Sequence, residues 1–141
     1  MTQITRAVNE PILSFAAGSP ERASLQAKYD EMATQTIEIP LIIDGKEIKT
    51  GDTGNCVMPH NHQHVLATYH NAGETEVIQA IDAAMKSWKT WSTTTLEERT
   101  KIFRKAAELL QGPWRDTINA ATMLNQSKNA FQAEVDAACE L

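Results

Sequence analysis

TIEIPLIIDGKEIK, residues 36–49, carries the clearest β-strand pattern in this chain. Apolar side chains occupy alternate positions in its first half, which is the period of a strand with one buried face. Pro40 lies within this run and has no N–H to donate, so we predict a strand at the edge of a sheet. Asp44-Gly45 is a residue pair that type I′ turns favour, and it predicts a hairpin in which residues 46–49 return antiparallel.

Helices are predicted on both sides of this hairpin. Upstream, residues 1–18 are predicted as an extended arm, and Ser19-Pro20 begins a helix because Ser can accept a backbone N–H as N-cap and Pro has the φ of the first helical position. Downstream, residues 56–58 and 65–70 are predicted as two further short strands. Four helices follow Gly73, with predicted starts at Thr75, at Thr94 or Thr95 (each with Glu three residues later), at Pro113, and after residues 125–128.

Hydrophobic spacing assigns an inward face to each helix. The predicted inward side chains are Leu25, Tyr29 and Met32 in the first helix, Val77, Ile81, Ala84 and Trp88 in the second, Ile102, Phe103, Ala106, Leu109 and Leu110 in the third, Ile118, Ala121 and Met123 or Leu124 in the fourth, and Phe131, Val135 and Ala138 in the last. The predicted fold class is therefore α-rich α+β, with an N-terminal helix, a small antiparallel β unit and four helices.

The last helix has no recognisable end. No Gly or Asn cap, Pro or polar tail follows its apolar stripe before Leu141. We therefore expect more protein after Leu141, and we expect residues that carry chemistry to lie there.

Composition excludes several classes of function. Of the 141 residues, 42% are hydrophobic and 22% charged, and the net charge is −5 without a basic cluster, so no nucleic-acid partner is expected. There is no apolar run of the length that a signal peptide or a membrane span needs. The two cysteines lie far apart and outside a CxxC pattern, which favours reduced thiols and a cytoplasmic protein.

Candidate chemistry is sparse. His60, His62 and His64 alternate in an extended segment, and with His70 they could form a zinc or nickel site. Structural zinc sites usually draw ligands from separate elements and often include Cys, so a solvated His-rich turn is the favoured interpretation.

The other reactive or aromatic residues have similar alternatives. Cys56 and Cys139 could act as nucleophiles, but neither has an evident activating group, and packing thiols are favoured. Trp88 and Trp91 are interpreted as core or subunit contacts rather than as a ligand platform. The motifs GxGxxG, GxxxxGK[ST], HExxH and GxSxG are absent, so the residues alone assign no catalytic, cofactor-binding or metal site.

Several short segments nevertheless recur in one family in the same order. They are Asn9-Glu10-Pro11, Gly18-Ser19-Pro20-Glu21-Arg22, the Pro59/Asn61/His62/His64 run, residues 80–84 (AIDAA), Gly112-Pro113 and residues 132–138 (QAEVDAA). From Asn9 onward the chain resembles the N-terminal portion of the Δ1-pyrroline-5-carboxylate dehydrogenase family, within the aldehyde dehydrogenase superfamily. Most aldehyde dehydrogenases lack the NEP and GSPER segments. His60 departs from the large apolar residue that the family has after this proline.

The resemblance implies an enzyme that oxidises L-glutamate γ-semialdehyde to L-glutamate in proline catabolism, with NAD as cofactor. In that family a cysteine thiolate adds to the aldehyde, hydride passes to the nicotinamide, and a glutamate-activated water hydrolyses the thioester. In the family, the nucleophile, the base and the coenzyme contacts come after the position that corresponds to residue 141. Residues 1–141 would then be the N-terminal segment of an α/β aldehyde dehydrogenase fold, on the coenzyme-domain side, and inactive alone.

The same resemblance implies a small-molecule substrate, a homodimer or higher homo-oligomer at full length, and a cytoplasmic location, or the mitochondrial matrix in a eukaryote. It also gives Glu140 a role as a substrate-binding residue. By spacing alone, Glu140 lies about 180° around the last helix from Phe131 and would be an ordinary solvated side chain. The alternative function is a free-standing, α-rich binding or structural module without catalysis, which a stop codon directly after Leu141 would favour.

Overall fold

A computed structural model describes residues 8–140. Its elements are α1 (Pro20–Ala33), β1 (Ile37–Ile39), β2 (Leu41–Ile43), β3 (Lys46–Ile48), β4 (Thr53–Met58), β5 (Asn61–His70), α2 (Glu74–Trp91), α3 (Leu96–Gln111), α4 (Arg115–Gln126), and α5 (Ala130–Ala133), which continues into a π-helical turn (Glu134–Cys139). The predicted α-rich α+β class is confirmed. Residues 8–18 of the predicted arm form neither helix nor strand, while residues 1–7 and Leu141 lie outside the described residues.

The predicted hairpin is present. Ile43 lies opposite Lys46, and Asp44 and Gly45 have φ of 52° and 73°, the left-handed pair that a type I′ turn requires. Pro40 divides the predicted edge strand into β1 and β2, which belong to different sheets. Because Pro cannot continue a hydrogen-bonded ladder, the chain changes partner at this residue.

The predicted small antiparallel β unit is only partly correct, because one of its strand pairs is parallel. β5 is the central strand of a mixed sheet with the order β1-β5-β4, in which β4 runs antiparallel to β5 while β1 runs parallel to it. Gly54 of β4 lies directly opposite Tyr69 of β5, and a Cβ at Gly54 would come within 2.5 Å of the Tyr69 ring. This position therefore requires glycine because the tyrosine ring covers the backbone there.

Three predicted helix starts are confirmed and two are displaced. The last helix begins at Ala130 after the predicted break, with Asn129 as its cap. Ser19 caps α1 by accepting the Arg22 N–H, and Thr95 rather than Thr94 caps α3. α2 is capped at Gly73 instead of Thr75, because the Glu76 carboxylate accepts the Gly73 N–H at 2.9 Å. α4 begins at Arg115, two residues after Pro113.

The core lies where α1 packs on α4. Phe15, Leu25 and Ala120 form a buried cluster against which Tyr29 and Met32 pack, so the predicted inward face of α1 is confirmed. On α4 the prediction is only partly correct. Leu124 is buried, but Ile118, Ala121 and Met123 are half-buried. The buried positions of α4 are Arg115, Asn119, Ala120 and Leu124.

α2 and α3 have no buried residue. The apolar stripes predicted for them exist, but Ile81, Trp88 and Phe103 are more than half exposed. Trp88 and Trp91 therefore do not belong to a core among residues 8–140. Apolar faces of this size usually mark surfaces that another polypeptide covers.

Candidate functional site

Glu140 lies at the end of the last helical segment, immediately after the π-helical turn. Its side chain is exposed, and its backbone is still helical, with φ −85° and ψ −26°. Asp136, on the same turn, is also exposed and pairs with Lys128 at 2.6 Å. The prediction that Glu140 faces away from the packed side of this helix agrees with its exposure.

The stripe predicted for this helix is wrong in part. Phe131 is 58% exposed and Val135 is half-buried, whereas Ala138 is buried as predicted. The buried side chains are Ala133, Glu134, Ala137 and Ala138. Small alanine side chains allow close approach to α4, and the carboxylate of Glu134 is buried because Arg115 of α4 neutralises it.

The π-helical turn also changes where Glu140 points. A π turn closes its hydrogen bonds one residue later than an α-helix does. One residue corresponds to about 100° of rotation around the axis, so the side chains after the turn are displaced by about that angle from an uninterrupted α-helix. π turns are rare, and they occur frequently at functional sites.

The Glu134 carboxylate, with 0% of the residue exposed, is the centre of a hydrogen-bond network. It accepts hydrogen bonds from Arg115 Nη2, from Arg115 Nε at 3.3 Å, from the Leu13 backbone N–H at 2.9 Å and from Asn119 Nδ2 at 2.7 Å. Arg115 also donates to Glu10 and, at 2.7 Å, to the Pro11 carbonyl. The network therefore joins the N-terminal arm, α4 and the π-helical turn.

Both charges of the Arg115–Glu134 pair are stabilised in this setting. Burial by itself raises the pKa of Glu134, but the hydrogen bonds from Arg115, Leu13 and Asn119 outweigh it and hold that pKa below its ordinary value. The Glu134 carboxylate in turn raises the pKa of Arg115 further above neutrality, against the opposing effect of burial. The pair is thus ionised at neutral pH.

Neither described cysteine is placed as an activated nucleophile. Burial first, and then the Glu134 charge, raise the pKa of the Cys139 thiol, which lowers its thiolate fraction. The Cys56 thiol donates to the amide oxygen of Asn125 at 3.0 Å, and an amide cannot act as a base toward it.

The structure does not bring the four histidines together. His60 Nδ1 lies 2.7 Å from Ser127 Oγ. His70 is buried at the far end of β5, where its Nδ1 accepts the Gly51 N–H at 3.2 Å and its Nε2 contacts Glu38 at 2.9 Å. Among residues 8–140 no three His, Cys, Asp or Glu side chains are close enough to share a metal ion. No helix in this part of the chain has the length and apolar character needed to cross a bilayer.

Comparison with known proteins places this geometry in a family. The sequence profile of the aldehyde dehydrogenase family matches residues 47–140, more than half of the chain. The chain belongs to the aldehyde dehydrogenase family.

Among aldehyde dehydrogenases the similarity is to Δ1-pyrroline-5-carboxylate dehydrogenases. The chain is 46% identical over 134 residues to that enzyme of Agaricus bisporus, covering 94% of this chain and 24% of the relative. It is 39% identical over 140 residues to the mitochondrial enzyme of Homo sapiens, covering 99% of this chain and 25% of the relative. The chain thus spans about a quarter of the length of these relatives.

Solved structures give the same result. The Mycobacterium tuberculosis Δ1-pyrroline-5-carboxylate dehydrogenase superposes with a TM-score of 0.96 at 41% identity, covering all of this chain and 26% of that one. A structure of the same enzyme bound with NAD matches with a TM-score of 0.95 at 40% identity, covering 99% of this chain and 26% of that chain. The predicted family resemblance is therefore confirmed.

Sequence reasoning missed Arg115 and Glu134 of this aldehyde dehydrogenase segment. Hydrophobic periodicity identifies only apolar residues as buried. It therefore did not identify these two charged side chains, although both lie on buried helix faces. One signal was available: Arg115 lies four and five residues before Asn119 and Ala120, on the face that continues to Leu124. A charged residue at the head of such a face requires a buried partner of opposite charge.

Proposed function

We propose that residues 1–141 are the N-terminal segment of an NAD-dependent dehydrogenase that oxidises L-glutamate γ-semialdehyde to L-glutamate in proline catabolism. The observation that carries the proposal is the match to Δ1-pyrroline-5-carboxylate dehydrogenases along nearly the whole chain, in sequence and in fold. We expect the enzyme to act in the cytoplasm, or in the mitochondrial matrix of a eukaryote; its rat and human relatives are named as mitochondrial enzymes.

The coenzyme site belongs to the remainder of such an enzyme. NAD, when bound, accepts the hydride from the substrate. β5 and α2 form a strand–turn–helix unit with Gly73 at the helix start, but the Glu76 carboxylate already accepts the Gly73 N–H there. Glu74 adds a second negative charge to the same turn. A helix start whose own carboxylates lie at its first turn does not fit a pyrophosphate, so we assign no coenzyme contact to the start of α2.

Glu140 is the residue of this segment that would contact substrate. L-glutamate γ-semialdehyde carries an ammonium group, which loses its hydration when the substrate enters a closed site. An exposed carboxylate at the end of a helix whose other side is packed can face such a site and neutralise that group. The described cysteines take no part in this proposal because neither is activated.

The apolar faces of α2 and α3 support the placement in a larger protein. Aliphatic and aromatic side chains of both helices are exposed among residues 8–140, and the remainder of the enzyme and a second copy in a homodimer or higher homo-oligomer would cover them. A free-standing module would have to keep these faces in water. No observation favours that alternative.

The test is Glu140→Ala in the whole polypeptide that contains residues 1–141. kcat/KM for L-glutamate γ-semialdehyde should fall, because the substrate ammonium loses its charge partner. The fall should correspond to a loss of roughly 2–5 kcal/mol of transition-state stabilisation. An aliphatic aldehyde without an amino group should lose much less, and the Kd for NAD should stay nearly constant. Asp136→Asn, an exposed acid on the same turn, is the matched control. Equal losses for both aldehydes would contradict the assignment of Glu140.

A further inference from the structure

Three separate parts of the chain meet at the Glu134 carboxylate. The arm contributes the Leu13 N–H and, through Arg115, Glu10 and the Pro11 carbonyl; α4 contributes Arg115 and Asn119. Glu134 is the first residue of the π-helical turn, and Glu140 directly follows the last residue of that turn. Glu134, at the centre of the network, and Glu140, the proposed substrate-binding residue, therefore lie at the two ends of the same π-helical turn.

We propose that Glu134, held by Arg115 and Glu10, is a positioning residue that fixes the π-helical turn and thereby directs Glu140 toward the substrate ammonium. This inference rests on the substrate-binding role proposed for Glu140. It also assigns to the N-terminal arm a part in substrate selection, because Glu10 and the Pro11 carbonyl of the arm accept hydrogen bonds from Arg115.

The geometry of the contacts supports a directional role. The Arg115 guanidinium is a planar fork, and it reaches both oxygens of Glu134 while its remaining N–H groups bond Glu10 and the Pro11 carbonyl. A bidentate pair of this kind restricts orientation as well as distance, which an apolar contact of equal volume does not. The Leu13 and Asn119 donors hold the same carboxylate from two further directions.

The π turn gives this restraint a consequence at Glu140. If the Glu134 carboxylate is released, the segment can relax to the ordinary α-helical ladder, which rotates the residues after it by about 100°. Glu140 would then leave the direction of the substrate, although its charge would remain. Displacing the Glu140 carboxylate should therefore have the same effect as removing it. kcat/KM should fall for the substrate that carries an ammonium group and not for an aldehyde that lacks one.

The experiment is a double-mutant cycle in the whole enzyme, with kcat and KM measured for L-glutamate γ-semialdehyde and for propanal. Glu134→Gln keeps the size of the side chain and removes its charge, and Glu10→Gln weakens the network from its outer side. Asp136→Asn is the control, since it removes an exposed carboxylate from the same turn. Each variant is made alone and together with Glu140→Ala.

Glu134→Gln should lower the ratio of kcat/KM for the semialdehyde to that for propanal by about 10- to 100-fold, mainly through the KM of the semialdehyde. Asp136→Asn should change this ratio less than about twofold. In the Glu140→Ala background Glu134→Gln should add little further loss of the ratio, because the group that it positions is already absent.

Equal losses for both aldehydes, or a Glu134→Gln effect on the ratio that persists in full without Glu140, would overturn the inference. If Glu134→Gln does not fold, Glu10→Gln decides: a lowered ratio supports the inference and an unchanged ratio overturns it. Glu140→Ala alone tests the proposed function. A selective Glu140→Ala with unselective network variants would leave the proposed function standing and remove only the positioning role.

Discussion

The α1–α4 side of the molecule and the α2–α3 side contrast in how their apolar faces are covered. α1 buries Leu25 against Ala120 of α4, and the arm adds Phe15 to the same cluster. α2 and α3 have comparable apolar stripes, yet neither helix buries a single residue. A helical period identifies the face that needs a partner, but it contains no information about where the partner lies in the chain.

The polar groups differ in the same way. On the α1–α4 side Arg115 and Glu134 are buried and connected to three parts of the chain. On the α2–α3 side the ion pairs are exposed, such as Lys101–Glu97 at 3.3 Å within α3 and Lys86–Asp44 at 3.5 Å between α2 and the β2–β3 turn. Tertiary packing should therefore determine the stability of the first region, whereas helix caps and exposed ion pairs should determine that of the second.

The largest effect is expected from Arg115→Ala. The substitution leaves the Glu134 carboxylate buried without its cation, which should lower the free energy of unfolding of the α1–α4 side by about 3–5 kcal/mol. Amide hydrogen exchange of α4 and the π-helical turn measures the loss. Lys128→Ala, which breaks the exposed pair with Asp136, should change it by less than about 1 kcal/mol. Similar losses in the two variants would contradict the contrast between buried and exposed charge.

Leu25→Ala and Ile81→Ala compare the two regions directly, in the chain of residues 1–141. Leu25 is 3% exposed and Ile81 is 56% exposed. Leu25→Ala should lower the opening free energy of α1 and α4 amides by about 2–4 kcal/mol, and Ile81→Ala should change that of α2 by less than about 0.5 kcal/mol. In the longer enzyme the Ile81→Ala loss should increase, since a partner then covers the face. A large Ile81→Ala loss in the short chain would mean that α2 is already covered.

Much of the local structure could be predicted because its causes are local. Asp44-Gly45 determines its own turn, Ser19 and Thr95 cap the helices that follow them, and Leu25 lies on the face that its spacing indicates. The parallel pairing of β1 with β5 has no such cause, because it joins segments about 30 residues apart.

Glu140 was assigned to the candidate site only through the family resemblance, and its role stays a prediction. Phe131, which the 3.6-residue period predicts as inward, lies in α5 before the π-helical turn and is 58% exposed. The burial of Glu134 was not predicted, because it depends on hydrogen bonds from a guanidinium 19 positions away and from the arm. Such a dependence is visible only after the chain has folded.

Acid should weaken the network of the α1–α4 side selectively. Because the folded-state pKa of Glu134 is depressed, its stabilising contribution is complete above the unfolded pKa near 4.5 and is lost as pH falls through the lower folded value. The stability difference between the parent chain and Glu134→Gln, measured by urea denaturation, should be constant from about pH 6 to 8 and should shrink below about pH 4.5. A difference that stays unchanged down to pH 3, or that shrinks toward alkaline pH, would contradict the assignment.

The smallest effect, and the one that separates the regions most finely, is expected from helix caps. Thr95 Oγ1 accepts the Glu98 N–H at 3.2 Å, and the Glu98 carboxylate accepts the Thr95 N–H at 3.0 Å. Thr95→Ala should cost about 1 kcal/mol, and Ser19→Ala should remove a similar cap from α1. In the chain of residues 1–141 the two losses should nevertheless spread differently.

In α3 no buried side chain opposes unwinding, so Thr95→Ala should raise amide exchange along the whole helix. In α1 the packing of Leu25 on α4 should confine the effect of Ser19→Ala to the first turn. Thr95→Ser retains the hydroxyl and should behave nearly as the parent chain. If Ser19→Ala raised amide exchange along all of α1, as Thr95→Ala is expected to do in α3, the packing of α1 on α4 would not stabilise the helix. The contrast between the two regions would then be wrong.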